Sequence, residues 1–203
     1  EDIVWKVSSG VTYAFVSGSS LSILDVTNPT APTLLSTTAL SGYGEGLAVS
    51  GDYAYIAAGS AGMQIIDISD PANPTSVVTL AGGSGSGYAE GINVSSPYAY
   101  LGNGAGTEIF DISDPTNASL VGTLEADGWV QDAMPISNYV YSCVWSSGID
   151  IIDVSDPTNP TYVSTLSNAK NADIMFDGNY GYIATREYGV TVIDVTDPSA
   201  PTT

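Results

Sequence analysis

One unit of about forty residues recurs five times along this chain, and that recurrence constrains the fold more than any single residue does. Its anchor is an apolar run ending in Asp, followed by a Ser/Thr-Asp-Pro turn: LSILDVTNP (21–29), MQIIDISDP (63–71), TEIFDISDP (107–115), IDIIDVSDP (149–157) and VTVIDVTDP (190–198). The anchor aspartates Asp25, Asp67, Asp111, Asp153 and Asp194 are spaced by 42, 44, 42 and 41 residues. A second mark precedes each anchor: Tyr13-Ala14-Phe15, Tyr53-Ala54-Tyr55, Tyr98-Ala99-Tyr100, Tyr139-Val140-Tyr141 and Tyr180-Gly181-Tyr182. A fixed period in this range belongs to solenoids, propellers and arrays. The Asp, Tyr and Pro residues that stand out are therefore mostly scaffold.

Within residues 45–82 the pattern resolves into four short strands. Gly46–Val49 is closed by the turn Ser50-Gly51-Asp52. Tyr53–Ala57 alternates large and small side chains, as a strand with two different faces should. The glycine-rich 58–62 loop leads to a third strand, Met63–Ile68, dense in branched residues. The prolines of 69–74 cannot donate to a ladder and mark a turn, and Ser76–Leu80 is the fourth strand. Four antiparallel strands per ~42 residues is the form of a propeller blade. No segment has sustained 3.6-residue periodicity, so essentially no helix is expected. The prediction is an all-β, single-domain β-propeller of five four-stranded blades, with repeats at about 3–40, 41–82, 83–125, 126–167 and 168–203. The first repeat starts directly at Ile3–Val7, and the fifth stops without its fourth strand. This leaves open whether the ring closes at five or is part of a larger one.

The I-I-D-I/V-S/T-D-P-x-N-P string and the Tyr-Ala-Tyr string resemble the LVIVD-repeat proteins, over nearly the whole chain from about Ile3 to Pro201. That resemblance implies a β-propeller-like repeat of bacterial and archaeal proteins, often secreted or surface-attached, with no established shared activity. Asn28 replaces the second Asp, and Ala118 the second Pro. The resemblance supplies no catalytic residues to carry over.

The charge is lopsided, with 22 Asp+Glu against Lys6, Lys170 and Arg186 and a formal net of −19. Such a surface repels nucleic acid and anionic lipid, and no apolar run approaches the ~20 residues of a membrane span. Self-repulsion of this size makes one result predictable. Thermal melts should rise as salt goes from near zero to about 0.1 M, where charges are screened over ~10 Å; a falling melting temperature would contradict it. Cys143 is the single cysteine, so an internal disulfide is excluded. The expected location is extracellular or at the cell surface. Of the sequons Asn93-Val94-Ser95 and Asn117-Ala118-Ser119, the first falls in a strand, and Asn117 in an exposed turn is the candidate acceptor.

Catalysis finds little support. The chain has no histidine, hence no Ser-His-Asp triad or histidine metal cluster, and Cys143 sits in an apolar strand. The Asp pairs of the turns would suit calcium, but Asp before Ser/Thr and before Pro also bonds its own backbone amides, and that reading is preferred. No cofactor is expected, with calcium as the alternative. The best ligand position is the channel mouth, where Glu45 and Glu90 precede the first strand, Asp132 aligns with them and Asp173 lies one place further on. Tyr43, Tyr88 and Trp129 are flat surfaces beside them. The loops Trp145-Ser146-Ser147 and Arg186-Glu187-Tyr188 share that face. An open edge strand over Thr191, Val192, Ile193, Asp194 and Val195 would invite a strand from another chain. The expected function is a non-enzymatic structural or adhesive surface protein that associates with copies of itself. The alternatives are a propeller binding a cation or carbohydrate at its acidic mouth, or a polysaccharide hydrolase.

Overall fold

The computed structural model describes all residues except 83–86, 168–170 and 186–188, and at 171 and 172 the backbone alone. The described residues form nineteen strands in five antiparallel sheets. Blade one is β1 (Ile3–Ser8), β2 (Val11–Val16), β3 (Ser20–Asp25) and β4 (Thr33–Ala39). Blade two is β5 (Gly46–Ser50), β6 (Tyr53–Ala57), β7 (Met63–Asp67) and β8 (Thr75–Leu80). Blade three is β9 (Ala89–Ser95), β10 (Tyr98–Asn103), β11 (Gly106–Asp111) and β12 (Ser119–Glu125). Blade four is β13 (Val130–Ile136), β14 (Tyr139–Val144), β15 (Gly148–Asp153) and β16 (Thr161–Leu166). Blade five is β17 (Asn171–Asp177), β18 (Tyr180–Thr185) and β19 (Gly189–Asp194). The helical content of the described residues is one 3₁₀ turn, Pro115–Asn117. Each sheet follows chain order, so every blade is a simple meander.

The recurring turn is built from its own aspartates. Oδ1 of the anchor Asp accepts from the amide two residues on: Thr27 at 2.9 Å, and Ser69, Ser113, Ser155 and Thr196 at 2.8 Å. The second Asp does the same for Ala72, Thr116, Thr158 and Ser199 at 3.0–3.1 Å, and Asn28 stands in for it in blade one. The Ser or Thr hydroxyl at that position and these amide bonds together hold the anchor carboxyls below the usual aspartate range. The paired aspartates thus act as turn formers. Just beyond each turn the fourth strand carries a bulge at Leu35, Val77, Val121 or Val163. The three valines are half-buried against the core, so the extra residue tips one more apolar side chain inward and increases the local twist.

The core is a series of layers between blades. Phe15, Leu21 and Ile23 of blade one meet Leu47, Ala54, Ile56 and Ile66 of blade two. Tyr55, Met63 and Ile65 meet Ile92, Leu101 and Phe110. Tyr100 and Ile109 meet Ala133, Val140 and Ile152. Tyr141, Ile149 and Ile151 meet Ile174, Ile183 and Ile193. Alternation along each strand sends one set of side chains toward the preceding blade and the other toward the following one.

The two outermost faces have no such neighbour. Tyr182, Val192 and Val190 occupy the rungs of Tyr55, Ile65 and Met63. The blade-two residues are at most 2% exposed, the blade-five ones 37%, 47% and 67%. On blade one, Ile3 and Trp5 occupy the rungs of Leu47 and Val49, yet Ile3 is 66% exposed where Leu47 is 3%. The faces that would meet if blade five closed on blade one are therefore both in solvent.

The outer edge of blade five is narrower than expected. Asp194 and Thr202 exchange backbone hydrogen bonds of 2.8 and 3.0 Å, and the Val195 amide donates to the Asn179 carbonyl. Thr202 thus stands opposite Asp194 as Thr33, Thr75, Ser119 and Thr161 stand opposite the other anchors. Of Thr191–Val195, the stretch Thr191–Ile193 has no further strand beside it among the described residues.

Candidate functional site: an acidic funnel with an aromatic rim

The inner strands β1, β5, β9, β13 and β17 start around one cavity of about 640 Å³. It brings together all four carboxylates expected at the mouth, Glu45, Glu90, Asp132 and Asp173, and adds Glu1, Asp2 and Gln131. Backbone proximity makes this possible. A methyl group on Gly46 would lie 2.5 Å from the Glu90 carbonyl, and one on Gly91 2.5 Å from the Gln131 carbonyl. Only glycine lets neighbouring strands converge so closely behind each glutamate.

The register corrects the expected alignment. Asp132 stands opposite Cys143, on the rung that Gly46 takes opposite Ala57 and Gly91 opposite Gly102. Gln131 therefore holds the place of Glu45 and Glu90. Asp132 belongs with Asp173, which faces Ala184 on the same rung. Asp132 and Asp173 each lie seven positions before the repeat tyrosine and Glu45 and Glu90 eight, and the extra residue that β13 carries at Gln131 recurs in β9 at Glu90. The funnel thus has two tiers: Glu1, Glu45, Glu90 and Gln131 outside, Asp2, Asp132 and Asp173 within.

Asp2 was not legible as a member. Seven residues separate Asp132 from Tyr139 but eleven separate Asp2 from Tyr13, because the β1–β2 hairpin is two rungs longer than its counterparts. The pairing of Ile3 with Val16, as of Leu47 with Ile56, was the signal that sequence counting lacked. Asp2 is tied to blade two, its Oδ2 accepting from the Leu47 amide at 3.0 Å.

Asp132 is the unusual group. It is 9% exposed, and its Oδ1 accepts from Asn93 Nδ2 at 2.7 Å. Burial first, then the charges of Asp173 and Asp2, raise its carboxyl to about 7, against the Asn93 bond and the Ala133 amide. Burial, opposed by the Ile174 amide, and then the Asp2 charge raise Asp173 too. Among the described residues no three such side chains are grouped closely enough to hold one metal ion. Asn93 also donates to the Ala133 carbonyl at 3.3 Å, so the amide of the first sequon is engaged between blades, whereas Asn117 is exposed. Burial, aided by the Asp132 and Asp173 charges, holds the Cys143 thiol well above its usual range, which leaves it inert as a nucleophile.

The aromatic residues form the rim. Tyr88 lies on the backbone of Gly59 in blade two, and Trp129 on that of Gly104 in blade three. Each rim ring thus clamps the preceding blade's hairpin. Tyr88 donates to Glu45 Oε1 at 2.7 Å, which pushes its own hydroxyl up, and Tyr43 bonds Glu1 in the same way. The Tyr88 and Trp129 ring centres are 6.2 Å apart. Trp145 joins them, its amide donating to the Trp129 carbonyl at 2.8 Å. The expected contribution of Arg186-Glu187-Tyr188 lies outside the described residues.

Comparison with known families agrees with this architecture. The LVIVD repeat model matches residues 5–39, 41–81, 86–125, 128–167 and 170–203. The chain belongs to the LVIVD-repeat family. No curated protein matches it. Among solved structures it is similar to the computationally designed Ika8 protein, with a TM-score of 0.70 at 10% identity, over 95% of this chain and 58% of that one. It is also similar to the computationally designed Ika4 protein, with a TM-score of 0.62 at 11% identity, over 75% of this chain and 91% of that one. The chain thus spans little more than half of Ika8, and likeness at this identity is likeness of fold. The LVIVD chain is a β-propeller-like repeat protein. None of its described helical segments is long and apolar enough to cross a membrane.

Proposed function

We propose that this protein is a non-enzymatic structural module of the cell exterior that assembles with copies of itself through its two terminal blade faces. One observation carries the reading: rungs buried in the inner blades are exposed, and still apolar, in the outer ones. The blade-five face has Met175, Tyr182, Val190 and Val192, and the blade-one face has Ile3, Trp5 and Val7. Each is half of the interface that joins neighbouring blades inside the molecule. Contiguous apolar surface of this kind marks interaction sites. A head-to-tail contact of the two faces is heterologous, so it closes a ring or propagates a filament, according to the rotation it imposes. Face pairing is favoured over strand addition at β19, because Thr202 already stands on its first rung. An all-acidic partner accounts for a salt requirement, since like charges must be screened before two such chains approach. The absence of histidine and the buried Cys143 support the non-enzymatic reading.

The test is sedimentation equilibrium of the chain at low and moderate salt. We expect concentration-dependent association that strengthens with salt, and a weakening of at least about tenfold for Trp5→Glu or Val192→Glu, since each buries an unpaired charge. A chain that stays monomeric in moderate salt at high protein concentration, or variants that associate as the parent does, would refute the proposal.

A further inference from the structure

Two of the three tryptophans converge on a second hollow, beside the funnel and independent of the blade faces. It measures about 360 Å³ and is lined by Glu90, Trp129, Gln131 and Trp145. Trp129 is 40% exposed and Trp145 43%. The repeats themselves provide the comparison that gives this weight. Trp145 lies six residues after Tyr139, and the same step from Tyr13, Tyr53, Tyr98 and Tyr180 lands on Ser19, Gly59, Gly104 and Arg186. Three of the four sister positions hold serine or glycine, and none holds an aromatic residue, so the fold does not require an indole there. An indole left half in water, where the scaffold asks for glycine or serine, is a feature of the surface and not of the core. Trp129 is likewise the largest of the rim aromatics, where blades two and three carry Tyr43 and Tyr88.

We infer that this hollow binds a neutral hexopyranoside. An indole face offers a flat apolar platform to the C–H face of a pyranose, and polar groups at its edge take the hydroxyls. Glu90 accepts hydrogen bonds, and the Gln131 carboxamide both donates and accepts. Gln131 Oε1 is buried and has no partner among the described residues, which leaves an unmet hydrogen-bonding capacity in the wall of the hollow. The volume falls in the range of ligand clefts, roughly 300–1,000 Å³, with room for a mono- or disaccharide. The carboxylates of the adjoining funnel exclude a uronic acid by charge. A quaternary ammonium would leave the carboxamide idle.

The test uses cellobiose, maltose and N,N′-diacetylchitobiose at tens of millimolar, with glucuronate and tetramethylammonium as controls. The readout is the indole N–H resonances of Trp5, Trp129 and Trp145 in the full chain. We expect at least one disaccharide to shift the Trp129 and Trp145 signals saturably, with a Kd on the order of 1 mM, and to leave Trp5 unmoved. Trp145→Gly writes the sister residue into the loop and so keeps the hairpin; it should weaken binding at least about tenfold, roughly 1.4 kcal/mol. The inference is overturned if no disaccharide shifts these signals or Trp5 moves with them. It is equally overturned if Trp145→Gly binds as the parent does, or if only tetramethylammonium binds, which would make the hollow a cation site.

Discussion

Replacing Tyr55 or Tyr100 by Ala will lower stability by about 3–5 kcal/mol, as deletion of a large buried ring does. The same change at Tyr182 will cost less than about 1 kcal/mol, as for an exposed side chain. The three residues are the same tyrosine of the same repeat. Tyr55 is 2% exposed and Tyr100 4%, each seated between two blades, whereas Tyr182 is 37% exposed on the outermost face. Deleting either inner ring leaves a cavity between sheets that close together only partly. Deleting the outer one leaves nothing to fill. Tyr88→Ala should fall between them, because its ring lies on Gly59 and its hydroxyl holds Glu45. Urea titrations of the dilute chain, read as midpoint shifts at constant m, provide the measurement. Equal losses at Tyr55 and Tyr182 would mean that blade five is covered on its far face. If the Tyr182 loss grows with protein concentration, the assembled form is what covers it.

Asp132→Asn will stabilise the protein at neutral and alkaline pH and remove a pH dependence that the parent shows. In the fold this carboxyl titrates near 7, against 3.8 for the ordinary group. Between those values the folded chain holds a proton that the unfolded chain has released. Stability therefore falls as pH rises through that window, reaches its low plateau above 7, and recovers fully below about 4. At one pKa unit per 1.36 kcal/mol, the ionised carboxylate costs on the order of 4 kcal/mol at pH 8, and the amide avoids that cost. Asn93 can still donate to the oxygen of an Asn side chain, so the inter-blade hydrogen bond survives the change. The turn aspartates act with the opposite sign and in a different window. Their carboxyls are held low by the Ser or Thr hydroxyl two residues on and then by its backbone amide, so their contribution is lost only as pH falls below the ordinary aspartate value. Melting temperatures of parent and variant from pH 4 to 8 separate the two. A variant no more stable than the parent at pH 8 would show that the Asp132 carboxylate is well solvated.

The outcome at Tyr182 and at Asp132 marks how far local sequence reaches. Strands such as Tyr53–Ala57 were legible to the residue, because alternation and the turn chemistry of Gly, Asp and Pro act within a few positions. The double role of the aspartates in each turn was legible for the same reason. So was the gathering of Glu45, Glu90, Asp132 and Asp173 at one mouth, since equivalent positions of a repeat array must lie on one face. The rung of Asp132 was open to counting back from Tyr139, which it precedes by seven positions where Glu45 and Glu90 precede their tyrosines by eight; aligning the carboxylates on one another missed it. Asp2 was hidden by a hairpin two rungs longer than its sisters.

By itself the sequence determined the repeat, the four-stranded meander, the turn and the tyrosine layer, all of which depend on neighbours along the chain. Tertiary structure alone decided which of five equivalent tyrosines is buried, which carboxylates face one another, and where two indoles meet. Burial and charge coupling depend on which blade stands next in space. An identical motif at the end of an array and in its middle has the same sequence and different surroundings.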